Sequence, residues 1–255
     1  MTEYNTINSH IQMPKRIMKE FEKDNRLAYY DVKGNFIGTN GHAKSIYTEL
    51  GYYSEETEHR LNREVESPLS HILYQIHNID FTQEYFDKPK DFDIIVRKYL
   101  DSLLIRSTVM QDAIGQNSIF YNNLPEQQRH DIAVNYGLAL SAERSFVNNY
   151  IATFVLNNTK TQFVLPVCGM YEFKLCDYLI AILPIMPNLA LALLEPRSYH
   201  SFVKDGAVKR IYIPDENVAR RFNAKAVKKQ IDYNTGFVVA SEKSFLEDAL
   251  SYNNE

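Results

Sequence analysis

The chain has 255 residues, 45% of them apolar and 24% charged, and carries a net charge of −4, the composition of an ordinary globular protein. At this length it buries most of the surface it exposes when unfolded, so it needs neither disulfide staples nor a structural metal. The mild acidity excludes a global pull toward nucleic acid or acidic membrane and leaves room only for a local basic patch.

The first residues, MTEYNTINSHIQMPKR, have no apolar core, so no secretory leader is expected. A short amphipathic helix follows, with Ile17, Met18 and Phe21 at helical spacing. RLAYYDVKGNFIGTN sets two β-prone runs around Lys33-Gly34-Asn35 and predicts a hairpin, with the glycine supplying the positive φ of its turn. Ser54 is placed to cap a helix whose first turn holds Glu55 and Glu56. Its apolar stripe is Leu61, Val65, Leu69, Ile72, Leu73 and Ile76, and Pro68 predicts a kink or a break near Ser67.

A second long helix is expected over Phe92 to Ile114, with Ile95, Tyr99, Leu103 and Met110 on one face. A third runs from about Pro125 to about Phe146. FVLNNTKTQFVLPV then reads as a hairpin hinged at Asn157 to Lys160. Tyr178 to Leu194 is apolar, but its seventeen residues hold Pro184 and Pro187. A membrane-spanning helix needs about 20 apolar residues, so the stretch predicts buried strands around a turn. Asp215 or Asn217 caps a helix reaching about Ile231, GFVVAS is a strand, and Ser241 caps a short last helix. The cysteines, Cys168 and Cys176, match neither a metal nor a disulfide pattern and read as core residues in a reducing compartment.

Together these predict a single soluble, cytoplasmic α+β domain over residues 1–255. A helical half of about 1–148, including the small hairpin, would pack on a mainly antiparallel sheet in residues 149–255.

The order of several short patterns resembles domain-of-unknown-function family 4238, a group of bacterial and phage proteins. The patterns are His10 and Pro14 before Phe21, the RLAYYDVKGNFIG hairpin, and Tyr53 followed by Glu58-x-x-Leu61-x-x-x-Val65-Glu66. After them come Arg106, an LPV turn, ILPIMPNLALAL, and Asn223 and Ala226 ahead of GFVVAS. The likeness covers roughly residues 8 to 248. It mainly narrows the architecture to this one; a phage-defence or mobile-element setting is expected on the functional reading of the residues below. Family members often carry an aspartate in the turn that reads LPVCGM here, and a tryptophan in the first strand of the hairpin that leads to it; this chain has neither.

Two sets of residues point to chemistry. At about 100° per residue, Glu58 lies within the apolar stripe of its helix and Glu66 about 80° away on its flank. Arg106 projects onto the apolar face of the next helix, and a buried guanidinium needs an acidic or carbonyl partner. Glu58 or Glu66 is therefore expected to meet Arg106. With His10 added, the set could hold a divalent metal as a nuclease centre, or it is an interior ion pair that fixes helix register. Glu55 with His59 reads as solvated capping, His71 and His77 fall on different faces, and His130 reads as surface. Neither HExxH, GxSxG nor a phosphate-binding loop occurs.

The second set is Arg221, Lys225, Lys228 and Lys229, which share a face of the late helix opposite Val218, Phe222 and Val227. It could grip the phosphates of nucleic acid, or it is a solvated helix face. The chain is thus expected to be an interaction or nucleic-acid-directed protein with a nucleic-acid or protein partner. A metal-dependent nuclease is the alternative, and whether the chain is an enzyme stays open.

Overall fold

A computed structural model describes residues 8–79, 82–107, 110–113, 119–143, 149–175 and 178–253. The expected helix ends at Ile114 and Phe146, and Cys176, lie outside them. The chain is mixed α+β, its sheets built largely from antiparallel pairs. It divides into two compact units, each assembled from three stretches of sequence. One comprises Met1–Pro14, Tyr47–Asn78 and Pro89–Asn148; the other comprises Lys15–Ile46, Ile79–Lys88 and Asn149–Glu255.

In the first unit, Ser54 caps a helix as expected, its hydroxyl accepting from the Thr57 N–H at 3.3 Å. The α-helix Glu55–Leu61 passes through a wide π turn, Asn62–Glu66, into the α-helix Ser67–Ile76. Pro68 explains the wide turn. It has no N–H to give, and its ring would strike the carbonyl four residues back in a regular helix. The proline therefore widens a turn ahead of itself and the chain stays helical, where sequence alone suggested a kink or break. All six residues of the predicted stripe are buried.

The next helix runs only over Phe92–Ile105, shorter than expected. Ser107 ends it: its hydroxyl donates to the Leu104 carbonyl and accepts from Met110 N–H at 3.3 Å, capping a fresh turn. The buried face is Phe92, Val96, Tyr99, Leu100 and Leu103, while Ile95 is only half-buried. The helix Glu126–Glu143 packs against it through Gly137. A Cβ at that position would lie 2.5 Å from an Ile105 side-chain carbon, so only glycine allows the approach.

In the second unit, the predicted first hairpin forms from strands Leu27–Asp31 and Phe36–Gly41. The positive φ falls on Asn35 and not on Gly34, with Asp31 accepting from Gly34 N–H at 2.9 Å. The hairpin continues into a four-stranded sheet through Phe237–Ala240, which also pairs with Leu165–Pro166. Tyr178–Met186 and Leu189–Leu194 pair antiparallel around Pro187-Asn188, as expected. They form the middle of a five-stranded sheet with Tyr171–Leu175, Ile151–Leu156 and Ile211–Tyr212.

The expected hairpin of FVLNNTKTQFVLPV does not form. Ile151–Leu156 pairs with Leu189–Leu194, and Leu165–Pro166 joins the other sheet. The Asn157 side chain turns the chain away by donating to Thr161 O at 2.7 Å and accepting from Thr159 N–H at 3.1 Å. Side chains of the helix Glu216–Tyr233 then take up the freed backbone. Glu216 accepts from Lys160 and Thr161 N–H, Asn223 bonds Val164 N–H and Gln162 O, and Gln230 accepts from Cys168 N–H. These three side chains recur every seventh residue and so lie along one stripe of the helix.

Asp215 caps that helix, accepting from Val218 N–H at 2.9 Å. Phe222 fills the core between Phe163 and Phe173, with ring centres 5.7 and 3.8 Å away. The last helix is Lys243–Asn253. Ser241 lies ahead of it and donates to Gln162 Oε1 at 2.5 Å, where a cap was expected. Cys168 is buried. No helix among the described residues is long and apolar enough to cross a membrane.

Candidate functional site

Sequence reasoning singled out four residues of the first unit, and the structure joins two of them directly. Arg106 is 1% exposed and donates through Nη2 to Glu66 Oε1 at 2.8 Å and through Nη1 to the Gln12 carbonyl at 3.1 Å. The Tyr53 ring lies against it, 5.9 Å from the guanidinium carbon. Burial alone would weaken the charge on Arg106. The fields of Glu66, Tyr53 and Glu58 outweigh burial and hold its pKa above the ordinary arginine value.

The π turn puts Glu66 there. One wide turn acts like one inserted residue, which sets the helix phase back by about 100°. The 80° that separated Glu66 from Glu58 on a regular helix nearly vanishes, and both acids look toward Arg106. Glu58 stops short of direct contact, and the wholly buried Ser9 lies near enough to favour its charged form. Burial comes first among the influences on Glu58 and raises its carboxyl above the ordinary value, while Ser9 and Arg106 pull the other way.

This cluster holds the strip Ser9–Met13. Tyr53 donates from its hydroxyl to Ile11 O at 3.1 Å and from its N–H to Ser9 Oγ at 3.5 Å. Gln12, 1% exposed, donates to Leu103 O at 3.3 Å, and Tyr99 donates to Met13 Sδ at 3.5 Å. Ser9, Gln12 and Tyr53 were not singled out from sequence. The signal for the strip is polar Ser9 and Gln12 beside apolar Ile11 and Met13.

His10 is half-buried in the short strand Asn8–His10, opposite Thr48. It does not complete a metal centre with the glutamates. Among the described residues, no group of three His, Cys, Asp or Glu side chains is arranged to hold a metal ion. The cluster is an anchored ion pair, and its arginine is directed at protein groups. Glu64, also not singled out, bridges to Lys98 at 3.1 Å and to Arg60 at 3.2 Å.

Two histidine readings resolve differently. His59 and Glu55 form an exposed contact of 3.4 Å, as expected of solvated capping. His130, expected at the surface, is half-buried. It stacks on Tyr52 with 3.8 Å between ring centres, and its Nδ1 donates to Tyr52 O at 3.1 Å. Burial lowers its pKa below the ordinary value.

The basic set lies in the second unit. Phe222 and Val227 are buried and Arg221, Lys225, Lys228 and Lys229 are exposed, so the helix faces divide as read from sequence. An open cleft of about 390 Å³ lies beside Arg221, Lys225 and Lys228. Strand residue Lys174 adds a fourth cation, and Phe173 and Tyr252 contribute aromatic rings. Lys229 lies outside the cleft lining. Among the described residues, Glu172 is the single carboxylate lining the cleft. Lys228 has an exposed contact with Asp232 at 3.5 Å, and Arg221 rests over the Phe173 ring at 5.6 Å. Among the described residues Lys174, Arg221 and Lys225 have no carboxylate within 4.0 Å. The cleft therefore concentrates positive potential on a chain that is acidic as a whole.

The chain matches no family model, no curated protein and no solved structure.

Proposed function

We propose that the chain is a nucleic-acid-directed binding protein that holds its ligand in the cleft beside the helix Glu216–Tyr233. One observation supports this above the rest. Four cations from two elements, Lys174, Arg221, Lys225 and Lys228, converge on an open cleft lined, among the described residues, by one carboxylate. Cations crowded together repel one another, and an array with few counter-charges suits a ligand that brings several negative groups.

The buried ion pair of the first unit enters this reading as scaffold, because Arg106 is already committed to Glu66 and Gln12. A phage-defence or mobile-element setting belongs to the same proposal, as does the likeness to domain-of-unknown-function family 4238, which rests on the patterns quoted above.

The test is titration of a labelled oligonucleotide by fluorescence anisotropy at several salt concentrations. Binding that weakens steeply with salt, and that Lys225→Glu with Lys228→Glu abolishes, is expected. Binding unchanged by that double substitution overturns the proposal.

A further inference from the structure

We infer that the cleft takes a single strand of nucleic acid, with backbone phosphates on Arg221, Lys225 and Lys228 and a base laid against Tyr252. This rests on the reading of the cleft as a nucleic-acid site and adds which form of nucleic acid fits it.

The geometry favours a strand over a duplex. Arg221, Lys225 and Lys228 follow one another at i, i+4 and i+7, a row of about 10 Å at 1.5 Å per residue. A helix that reads duplex DNA must stand clear of its domain to enter a major groove about 12 Å wide and 8.5 Å deep. This helix does not stand clear. The strand Tyr171–Leu175 flanks it on one side, with Phe173 packed on Phe222 at 3.8 Å. The last helix flanks it too, tied by Arg220 to Asp248 at 3.2 Å. Both neighbours contribute to the cleft wall, the strand through Lys174 and Phe173 and the last helix through Tyr252. The cations thus line a recess.

A recess of about 390 Å³ falls in the size range of pockets that hold one small-molecule-sized group. That is room for a nucleotide unit and not for a double helix. The chemistry of the walls agrees. Arg221, over the Phe173 ring at 5.6 Å, presents a delocalised planar cation that can meet a phosphate or a base face. Tyr252 supplies a ring on which any base can stack, a contact that tolerates sequence. Asp232 is the exposed partner that Lys228 would exchange for phosphate.

The experiment compares oligothymidine, oligouridine and a hairpin duplex bearing the same number of phosphates, by anisotropy on the full chain between about 50 and 200 mM salt. Single strands are expected to bind at least about tenfold tighter than the duplex, with a log–log salt slope of about −2 to −3 from three or four phosphate contacts. Tyr252→Ala is expected to weaken single-strand binding about 5- to 100-fold without changing the slope, and Tyr252→Phe to restore it. Tight binding of either oligothymidine or oligouridine, or of both, supports the inference, since the recognised chemistry is shared. Duplex binding as tight as single-strand binding overturns it, as does wild-type affinity in a folded Tyr252→Ala protein; the nucleic-acid reading survives both results. Failure of all three probes to bind sinks that reading itself.

Discussion

Glu66 meets Arg106 at 2.8 Å because the helix carrying the acid takes one wide turn just before Pro68. The pair buries a guanidinium and leaves its carboxylate a quarter exposed. Its removal is therefore asymmetric. Glu66→Ala strands the buried charge of Arg106 and is expected to cost about 3 kcal/mol. Glu66→Leu combined with Arg106→Met removes both charges and is expected to cost less than Glu66→Ala alone. Urea midpoints of the variants check this, and additive losses would contradict it.

Asn223 is wholly buried yet bonds backbone groups of both Gln162 and Val164. Asn223→Ala leaves a donor and an acceptor unpaired and is expected to destabilise by about 2 kcal/mol or more. Lys225→Ala, two residues along on the exposed face, is expected to stay within about 0.5 kcal/mol of wild type. Equal losses in thermal or urea unfolding would refute the distinction.

Gly137→Ala tests packing against propensity. Alanine gains about 1 kcal/mol over glycine in a free helix, but the new Cβ would sit 2.5 Å from Ile105. Overpacking is expected to win, lowering stability by about 1–3 kcal/mol. Adding Ile105→Ala to Gly137→Ala is expected to cost less than the sum of the two single substitutions, read from unfolding midpoints. A Gly137→Ala protein more stable than wild type would show that the helices do not approach so closely.

Glu58 and His130 give opposite pH signatures. The Glu58 carboxyl is raised from 4.5 in the folded protein. The folded state then holds its proton more tightly than the unfolded state, and this group's contribution is lost as pH climbs from about 4.5 through the raised value. Glu58→Gln should therefore compare more favourably with wild type at pH 7 than at pH 4.

His130 is lowered from 6.5, so its contribution is present above that value and is lost as pH falls below it. His130→Phe is expected to flatten the slope of Tm between about pH 7 and 5. Parallel Tm–pH curves for each variant and wild type would refute both assignments.

Much of the architecture was legible in the residues, and the failures have physical causes. Ser54, the Leu61-to-Ile76 stripe, the first hairpin and the Tyr178–Leu194 strand pair follow from capping and periodicity, which are local. The meeting of an acid with Arg106 was legible because a buried guanidinium demands a partner. Which glutamate answers was not, since the π turn shifts the helix phase after the point where a regular projection holds. The second hairpin failed because Asn157 and the Glu216–Asn223–Gln230 stripe supply hydrogen bonds that lie far apart in sequence. The division of faces on the late helix was legible from periodicity alone. The cleft beside it was not, because Lys174 and Tyr252 arrive from other elements.

The pairing of Asp31 with Phe237 has a consequence for synthesis. The hairpin leaves the ribosome long before the strand that covers its edge. Until then an open row of amide and carbonyl groups stands ready to accept a foreign strand. The newborn chain is thus exposed to aggregation until that strand emerges, and slow elongation between the two, or loss of the later strand, should be harmful out of proportion to the number of residues involved.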